Sequence, residues 1–248
     1  MNIYETPKLL GEYLLFHYGT EAEVLPWDFG PASALNFAVR SVTKLLDPAL
    51  VPVSADVAGT RALDLGCAVG RSAYELAAVC QEVTGIDYSQ SFVDAAEKIR
   101  RDGLLPYLRI DEGSAQTPLS AKRPVPEAPA GVRFEQGDAM NLRPDLGGFD
   151  VVHAANLLCR LTDPQRLLKR LPSLVKPGGQ LLLTTPCTWL EEFTPPERWP
   201  KGSTLEWLSE SLQEHFELVH QEDLPFLIRE HARKFQWSVA LGSRWVRK

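Results

Sequence analysis

Residues 61–77, RALDLGCAVGRSAYELA, decide the fold, because a short apolar run passes there through a turn of small residues into a helical pattern. The apolar run predicts a buried strand, and the residues after the turn predict a helix over 71–80. In an open parallel sheet, ligands bind beyond the carboxyl ends of the strands, and small residues let the backbone approach them closely. The small residues of this turn are Gly66, Cys67, Ala68 and Gly70. We therefore expect a cofactor at the turn.

The rest of the chain continues this alternation of short β-rich and helical runs. Such alternation is typical of βαβ units and of a mostly parallel sheet with helices on both faces. The predicted strands are 61–65, 82–87, 132–136, 149–154 and 180–185, and the predicted helices between them are 71–80, 89–101 and 163–175. Two long β-rich runs, 216–229 and 235–247, predict an antiparallel pair that closes the sheet. The sequence therefore predicts an α/β fold with seven strands.

Length and composition favour a single domain over residues 1–248. Of these residues 44% are hydrophobic, which is enough for one sizeable core. We expect residues 1–58 to form a helical cap, with an amphipathic helix over 4–18, and residues 59–248 to form the α/β core. Residues 103–131, rich in Pro, Ala, Ser and Gly, interrupt the alternation and predict a surface insertion or lid.

Charge and motif content argue against several function classes. The formal net charge is -6, and no run of basic residues concentrates positive charge, so nucleic acid is not an expected partner. No segment has the roughly 18 consecutive apolar residues of a membrane span, and the N-terminus lacks a secretion signal, so we expect a cytoplasmic protein without a membrane partner. The cysteines show no CxxC spacing, which predicts reduced thiols and no metal site. They are Cys67, Cys80, Cys159 and Cys187.

The spacing of small residues argues against a dinucleotide. The dinucleotide fingerprint requires G-x-G-x-x-G, whereas here Ala68 and Arg71 occupy the second and third glycine positions and Gly70 lies out of register. Asp87 nonetheless ends the second predicted strand about 20 residues after the turn, where an acid accepts hydrogen bonds from ribose hydroxyls. Asp138 follows the third strand and can accept from an adenine amino group. The pattern favours a nucleoside with a small polar tail.

The motifs DLGCAVG, GIDYS, GDA, FDVVHAANLL and LVKPGGQLLLTTP together resemble those of the class I S-adenosylmethionine-dependent methyltransferases. The resemblance extends over residues 62–185. It implies a Rossmann-like sheet with the C-terminal antiparallel pair, S-adenosyl-L-methionine as cofactor and S-adenosyl-L-homocysteine as product. The resemblance also implies cofactor-binding roles for Asp64, Gly66, Cys67, Ala68, Gly70, Asp87, Tyr88, Asp138, Ala139 and Asn156.

A narrower resemblance rests on the phrases YETPKLLGEYLLFHYG, LPWDFGP, DLGCAVGRSAYELA, AANLLCRL and TWLEEFTPPERWPKG, which are similar to the methyltransferase domain of ovothiol biosynthesis. In that family the domain methylates a ring nitrogen of 5-thiohistidine to give ovothiol A, and in many members it is fused behind an iron-dependent sulfoxide synthase. The resemblance implies a small histidine-derived substrate, direct in-line N-methylation, and an upstream sulfoxide synthase as a candidate partner. Orientation must then keep the ring thiolate, the better nucleophile, away from the methyl group.

Candidate substrate residues lie around the expected position of the methyl group. Asn156 and Arg160 follow the fourth strand and can hold the substrate ring or its carboxylate, for which Arg suits bidentate recognition. Further candidates are Thr185, Trp189, Glu191 and Glu192 after the fifth strand, and Tyr4 and Tyr13 on the N-terminal helix. We assign catalytic roles to Asn156, Tyr4 and Glu191, without separating Glu191 firmly from Glu192. His17 and His153 are set aside as bases, because they lie on a packing helix and inside a strand.

The same residues admit other functions. The acceptor can be the selenium analogue 5-selenohistidine, or another small imidazole, amine or thiol. The fold can also serve a nucleoside-binding protein without turnover, since fold alone does not set function. A nicotinamide oxidoreductase is disfavoured by the failed glycine spacing.

Overall fold

The computed structural model describes residues 3–52, 59–127 and 131–248. Residues 53–58 of the predicted cap and 128–130 of the predicted insertion lie outside the described residues. The strands are β1 (Arg61–Leu65), β2 (Glu82–Asp87), β3 (Leu104–Glu112), β4 (Ala115–Lys122), β5 (Val132–Gln136), β6 (Phe149–Ala155), β7 (Val175–Thr185), β8 (Phe216–His231) and β9 (Lys234–Arg247). The helices are α1 (Pro7–Tyr18), α2 (Glu21–Val24), α3 (Phe37–Thr43), α4 (Arg71–Leu76), α5 (Gln90–Asp102), α6 (Pro164–Leu174) and α7 (Thr204–Leu212). Short 3-10 turns lie at Ile3–Glu5, Ala32–Ala34, Pro48–Leu50, Leu158–Arg160 and Pro196–Arg198.

The main sheet has the predicted α/β topology. Among the described residues it contains seven strands, in the order β5-β2-β1-β6-β7-β9-β8. Neighbouring strands from β5 to β7 run parallel, whereas β9 runs antiparallel to both β7 and β8. The prediction of a Rossmann-like, mostly parallel sheet closed by a C-terminal antiparallel pair is confirmed. The carboxyl ends of β1, β2, β5 and β6 therefore meet at one edge, where an open sheet of this kind binds its ligand.

Alternate residues of the central strands build two cores, one on each face of the sheet. Leu63 and Leu181 pack with α6 and α7 on one face. Their chain neighbours Ala62 and Leu182 pack with α3, α4 and α5 on the other face. All four side chains are fully buried. Burial on both faces explains why these strands are almost continuously apolar, and it fixes the strand ends that carry the site.

Two predicted boundaries differ from the structure. The helix predicted over 71–80 ends at Leu76. The KPGG segment, residues 176–179, predicts a glycine cap and a turn, but α6 ends at the C-cap Val175 and the segment lies inside β7. Val175 already pairs with Phe149 of β6, and a register shift after that pair accommodates the extra residues.

The predicted N-terminal helix divides into two pieces. Tyr4 lies in a 3-10 turn, and α1 begins at Pro7. Thr6 is the N-cap of α1, and its hydroxyl accepts a hydrogen bond from the Leu9 N–H. Threonine at the N-cap and proline at the first helical position both favour a helix start at this point. The position of Tyr4 is therefore set by the turn and not by the helix.

The segment predicted as an insertion or lid contains a regular hairpin. β3 and β4 pair antiparallel, with Leu104 opposite Lys122. The two-residue turn consists of Gly113 and Ser114, and Gly113 has a φ of 56°. A Gly-Ser pair between two β-rich runs is a hairpin signal, which the proline content of the segment obscures. Prolines are tolerated here because a two-stranded ribbon consists of edge strands.

A cap lies over the carboxyl edge of the sheet, and it consists of α1, α2, the β3–β4 hairpin and the outer part of the β8–β9 ribbon. The pairing of β7 with β9 ends at Thr185 and Leu241, so the earlier residues of β9 extend past β7 with β8 as their partner. α1 packs against β3, β4, β8 and α3. This packing places α1 beside the strand ends that form the ligand edge.

Charged groups fasten the cap together. The guanidinium groups of Arg109 and Arg229 donate to the carbonyl oxygen of Glu23 at 3.0 and 2.8 Å. Asp111 accepts from Arg109 at 2.7 Å, and the Ala232 N–H donates to the carbonyl oxygen of Asp111 at 2.8 Å. Because Arg229 is only 5% exposed, its hydrogen bond to Glu23 is shielded from water. The hairpin, α2 and the β8–β9 ribbon are thus joined at one point.

Membrane, disulfide and metal features are absent from the described ranges. No helix within them combines the length and the apolar character needed to cross a membrane. The four cysteines are free thiols. No group of three or more His, Cys, Asp or Glu side chains in the same ranges is arranged to hold a metal ion.

Candidate active site

Residues 66–70, which we call the cofactor loop, leave β1 along a left-handed path. The loop has positive φ values of 67° at Gly66, 48° at Ala68 and 85° at Gly70. A Cβ added to Gly70 would lie 2.6 Å from the Phe134 ring, which is closer than real contacts. The Cys67 side chain is 1% exposed, so the part of Cys67 that can border a ligand is its backbone. The small residues are therefore required by the backbone path and by the packing beneath the loop.

Asp87 ends β2 beside the cofactor loop. Its two carboxylate oxygens accept from the backbone N–H groups of Ala68 and Ser89, both at 2.8 Å. Burial raises the pKa of Asp87 to about 6, and these two hydrogen bonds oppose that rise. Each carboxylate oxygen has a second lone pair, so Asp87 can still accept from ribose hydroxyls. The geometry is compatible with the predicted ribose role.

An exposed aromatic ring and a carboxylate follow the neighbouring strands β2 and β5. Tyr88 is 63% exposed, and its ring offers a face on which a planar base can stack. The Gly137 N–H donates to the carbonyl oxygen of Asp87 at 2.9 Å, which holds the two strand ends together. Asp138 uses Oδ1 to accept from a backbone N–H of its own turn at 2.8 Å, so Oδ2 is available to a ligand. Ala139 is buried.

A buried hydrogen-bonded chain lies at the end of β1. The carboxylate of Asp64 accepts from the Ser72 hydroxyl and pairs with Nδ1 of His153, both at 2.7 Å. Nε2 of His153 lies 3.2 Å from the Ser41 hydroxyl oxygen. Serine, histidine and aspartate in series also compose hydrolytic triads, but Ser41, His153 and Asp64 are at most 1% exposed and no substrate can reach them. Both oxygens of Asp64 have partners inside the protein, which hold the end of β1 to α4 and β6. The cofactor role of Asp64 stays a prediction.

Asn156 directly follows β6 and has a left-handed conformation with φ 53°. Its N–H donates to the Thr184 hydroxyl oxygen at 3.1 Å, and its Oδ1 accepts from the same hydroxyl at 2.9 Å. These two bonds fix the orientation of the Asn156 amide. The Nδ2 group has no partner in the part of the chain that the structure describes, so it is a donor available to a ligand at this edge.

Tyr4, Tyr13, Arg160 and Phe193 form what we call the substrate subsite. The Arg160 guanidinium lies 4.5 Å from the centroid of the Phe193 ring, in cation–π contact. Its Nη1 is buried and has no hydrogen-bond partner among the described residues. The hydroxyls of Tyr4 and Tyr13 hydrogen-bond to each other, and both interact electrostatically with Arg160 and with Asp87. Burial raises the pKa of both hydroxyls, so they are neutral at physiological pH.

The N-terminal segment is fastened to the start of α5. Glu5 accepts from the N–H groups of Gln90 and Ser91 at 2.9 and 3.2 Å. The Ser91 hydroxyl also donates to Glu5, and this hydrogen bond lowers the pKa of the Glu5 carboxyl. The Ser89 hydroxyl donates to the carbonyl oxygen of Tyr4 at 3.1 Å. Tyr4 is therefore held close to the end of β2, where Asp87 lies.

A family model described as a methyltransferase domain matches residues 37–231 of the chain. The chain belongs to the class I S-adenosylmethionine-dependent methyltransferases. The matched region includes the cofactor loop and Arg160, but it begins after Tyr4 and Tyr13. The cofactor core of this methyltransferase is thus shared with its family, whereas half of its substrate subsite lies outside the matched region.

Curated relatives of this methyltransferase are named for different acceptors. The ubiquinone biosynthesis O-methyltransferase of Coxiella burnetii is 28% identical over 127 residues, which cover 51% of this chain and 44% of that protein. The tRNA U34 carboxymethyltransferase of Idiomarina loihiensis is 29% identical over 172 residues, which cover 67% of this chain and 46% of that protein. The matches thus span less than half the length of either relative.

Solved structures share the fold at low sequence identity. The N-methyltransferase NodS of Bradyrhizobium japonicum WM9, in complex with S-adenosyl-L-homocysteine, has a TM-score of 0.54 and 16% identity, covering 96% of this chain and 98% of that chain. The [4+2]-cyclase SpnF has a TM-score of 0.51 and 23% identity, covering 88% of this chain and 76% of that chain. A cyclase among the neighbours illustrates that this fold alone does not set the reaction.

The site of this methyltransferase fits S-adenosyl-L-methionine, the cofactor of its family. Asp87 would provide acceptors for ribose, and Tyr88 with Asp138 would provide a stacking face and an acceptor for adenine. The residues of the cofactor loop are small, so its backbone can approach a ligand closely. When bound, the cofactor supplies an electrophilic sulfonium methyl group.

Two predicted substrate residues shape the loop after β7 instead. Thr185 is 1% exposed, and its hydroxyl accepts from the Cys187 N–H at 3.1 Å. Trp189 donates from Nε1 to the Thr204 hydroxyl at 3.2 Å and packs edge-on against Trp207. Both side chains therefore have structural partners, and neither belongs to the substrate subsite.

Glu191 and Glu192 are exposed, and neither makes a hydrogen bond or an ion pair with any described residue. They lie in a reverse turn, in which the Phe193 and Thr194 N–H groups donate to the carbonyl oxygen of Leu190 at 3.0 and 2.9 Å. Phe193 contacts Arg160 from this turn, while the two carboxylates face solvent. The position of Glu191 gives no support to its predicted catalytic role.

Two contacts of the site have no local signal in the sequence. One is the stacking of Arg160 on Phe193, which joins segments 33 positions apart. The other is the hydrogen bond from the Tyr18 hydroxyl to the carbonyl oxygen of Val69 at 2.8 Å, which fastens α1 to the cofactor loop. Both depend on how distant segments pack, so spacing and composition do not reveal them.

Proposed function

We propose that this methyltransferase transfers the methyl group of S-adenosyl-L-methionine to a ring nitrogen of 5-thiohistidine, giving ovothiol A. The observation that carries the proposal is the substrate subsite, where the guanidinium of Arg160 has a buried, unpartnered Nη1 beside two tyrosines. The resemblance to the ovothiol methyltransferase domain supports the same acceptor, because several of its motifs lie outside the cofactor site.

The subsite suits a small amino acid with a flat ring. A carboxylate offers two acceptor oxygens to the Arg160 guanidinium, and it would give the buried Nη1 an anionic partner. The ring of Phe193 suits the face of an imidazole, and the hydroxyls of Tyr4 and Tyr13 suit its polar edge. Because the tyrosines lie outside the matched family region, we infer that the N-terminal turn and α1 select the acceptor.

The proposed reaction requires mainly orientation from the protein. Imidazole has a reference pKa near 6.5 and is largely neutral at physiological pH, so its unprotonated nitrogen can attack without a strong base. That nitrogen forms the new bond to the methyl carbon in line with the breaking carbon–sulfur bond, and the other ring nitrogen then loses its proton to water. Holding the reacting atoms at near-attack distance supplies most of the acceleration in such a transfer.

Three residues orient the ring in this proposal. Arg160 holds the substrate carboxylate. The Tyr4 hydroxyl accepts from the ring N–H, which leaves the other nitrogen free to attack. Nδ2 of Asn156 donates to the thiolate sulfur, which keeps the better nucleophile away from the methyl group. Selectivity for nitrogen over sulfur thus depends on hydrogen bonds from the segment that follows β6 and from the N-terminal turn.

The acceptor must come from a reaction that attaches sulfur to the histidine ring. We therefore propose that a sulfoxide synthase acts upstream and supplies the precursor of 5-thiohistidine. The small size of this intermediate requires no interface between the two enzymes.

The proposal is tested by incubating the purified chain with S-adenosyl-L-methionine and 5-thiohistidine, with histidine and 5-selenohistidine in parallel. Mass spectrometry with fragmentation then locates the methyl group. We expect a methyl group on a ring nitrogen of 5-thiohistidine and none on histidine. Preference for the selenol would reassign the acceptor to the selenium analogue. Methylation on sulfur, or no product from any acceptor despite normal binding of S-adenosyl-L-homocysteine, would contradict the proposal.

A further inference from the structure

A histidine with a buried ring nitrogen that lacks a hydrogen-bond partner lies beside the cofactor loop. His17 is on α1, where its ring stacks on Tyr13 at a centroid distance of 6.0 Å and borders Tyr18. The Tyr18 hydroxyl donates to the carbonyl oxygen of Val69 at 2.8 Å, so this end of α1 rests on the cofactor loop. Leu14 packs with Val69 from the preceding turn. Nδ1 of His17 is buried and has no partner within the described ranges.

The charged groups that act on His17 lie at the two ends of the cofactor loop. They are the Asp64 carboxylate before the loop and the Arg71 guanidinium after it. Asp64 already binds Ser72 and His153 through both oxygens, and Arg71 pairs with Glu75 at 2.5 Å. Neither group therefore supplies Nδ1 with a hydrogen bond.

Burial lowers the pKa of His17 to about 4, and Arg71 acts in the same direction, whereas Asp64 opposes both. The imidazole is therefore neutral at physiological pH, with one ring nitrogen as donor and the other as acceptor. In the tautomer that carries its proton on Nε2, Nδ1 is a buried acceptor without a partner, which is costly, so a ligand that brings a donor to Nδ1 gains from it.

The cofactor has one polar part that Asp87, Tyr88 and Asp138 do not reach. These residues take its ribose and its adenine, and all of them lie at the β2 and β5 ends. The amino-acid end is attached on the opposite side of the ribose from adenine, so it extends from Asp87 toward the cofactor loop and β1. That is the region that His17 borders.

We propose that Nδ1 of His17 accepts a hydrogen bond from the ammonium group at the amino-acid end of S-adenosyl-L-methionine. His17 is then a cofactor ligand supplied by the cap, and not a base. The hydrogen bond from the ammonium group to His17 helps to position the sulfonium, because the amino-acid end and the sulfonium belong to the same flexible chain of the cofactor. The inference rests on the cofactor of the family and is independent of 5-thiohistidine as the acceptor.

The test compares two ligands by titration calorimetry on the full chain. S-adenosyl-L-homocysteine carries the amino-acid end, whereas 5′-methylthioadenosine shares the adenosine and the thioether sulfur but lacks that end. His17→Phe keeps a flat ring and removes Nδ1. We expect this variant to bind S-adenosyl-L-homocysteine about tenfold more weakly and 5′-methylthioadenosine with a change of less than about twofold.

Two further variants sharpen the test. His17→Asn places an oxygen acceptor close to the Nδ1 position, and we expect it to recover most of the affinity for S-adenosyl-L-homocysteine. His220→Phe changes a surface histidine of β8, with a side chain 38% exposed, and serves as the matched control with both affinities unchanged. Thermal unfolding establishes that each variant is folded.

Either of two results in His17→Phe would overturn the inference. One is unchanged affinity for S-adenosyl-L-homocysteine. The other is equal weakening of both ligands, which would mean that His17 supports the packing of the loop and does not contact the amino-acid end. Since no acceptor takes part in the titration, these results leave the proposed function untouched. A failure to methylate 5-thiohistidine would likewise leave this inference intact.

Discussion

The cofactor loop and the cap border the same edge of the sheet, but they are built in different ways. The cofactor loop and Asp87 come from one β-α-β stretch, and their contacts join residues about 20 positions apart, as in the hydrogen bond from the Ala68 N–H to Asp87. The cap is joined where Glu23 meets Arg109 and Arg229, residues 86 and 206 positions away. The difference teaches that local backbone chemistry builds the cofactor loop, while long-range packing places the cap beside it.

Gly70→Ala should have the largest effect on stability, because it strains the cofactor loop in two ways. The new Cβ would adopt a φ of 85° and meet the Phe134 ring at 2.6 Å. Left-handed strain and overpacking together predict a loss of about 3 kcal/mol in the free energy of unfolding. The matched change is Gly113→Ala in the hairpin turn of the cap, where φ is 56° and nothing lies within 4 Å of the new Cβ. It should cost only about 1 kcal/mol.

Urea unfolding of both glycine variants measures this difference. Equal losses at Gly70 and Gly113 would contradict the claim that the cofactor loop is constrained by packing as well as by its left-handed backbone.

Asp87→Ala tests the ribose position. We expect the affinity for S-adenosyl-L-homocysteine to fall by about 1–3 kcal/mol, because the ribose hydroxyls lose their acceptor. Asp94→Ala, which removes an exposed carboxylate on α5, is the control and should leave the affinity unchanged. Titration calorimetry that finds the same affinity for Asp87→Ala and wild type would refute the ribose role.

Arg229→Met tests how much the hydrogen bonds of Arg229 in the cap contribute to the free energy of unfolding. The substitution removes the hydrogen bond to the carbonyl oxygen of Glu23, and we expect the free energy of unfolding to fall by about 1–2 kcal/mol. Arg233→Met removes an exposed guanidinium from the neighbouring turn and should be neutral within about 0.5 kcal/mol. If the two variants unfold at the same denaturant concentration, Arg229 does not fasten the cap.

The smallest expected effect is a proton released on cofactor binding. The pKa of Asp87 is about 6 in the free protein, so at pH 6 about half of the molecules carry the proton. Ribose hydroxyls that donate to the ionised carboxylate lower this pKa in the complex, so binding releases up to about half a proton at pH 6 and weakens as the pH falls below 6. Calorimetry in buffers of different ionisation enthalpy measures the release. Proton uptake on binding, or a release that Asp87→Ala retains, would contradict the assignment.

The contrast between the cofactor loop and the cap also explains which parts of the structure can be predicted from the sequence. The runs at 61–65, 82–87 and 132–136 are strands with those bounds. β1 and β2 are buried on both faces, which leaves little choice of residue, whereas the edge strand β5 alternates buried and more exposed side chains. Asp87 lies at the predicted strand end for the same reason. The hairpin at Gly113 and the contact between Arg160 and Phe193 were not predicted, since they depend on turn chemistry masked by prolines and on packing between distant segments.

The structure brings some of the predicted substrate residues together and leaves others apart. The packing around each residue explains the difference. Tyr4, Tyr13 and Arg160 come together because the N-terminal turn is tied to α5 and rests near the end of β2. Glu191 lies on the solvent side of a turn whose inward residue is Phe193. Spacing along the chain cannot decide which side of a turn faces the site.

The most direct test of the central claim compares 5-thiohistidine with 5-thiohistamine, which lacks the carboxylate, in wild type and in Arg160→Met. If Arg160 receives the carboxylate, wild type should prefer 5-thiohistidine by about 100-fold in kcat/KM, as expected for a lost charged hydrogen bond in a buried site. Arg160→Met should lose that preference while its affinity for S-adenosyl-L-homocysteine stays unchanged. A preference that survives in Arg160→Met would contradict the account, because the carboxylate would then be bound elsewhere.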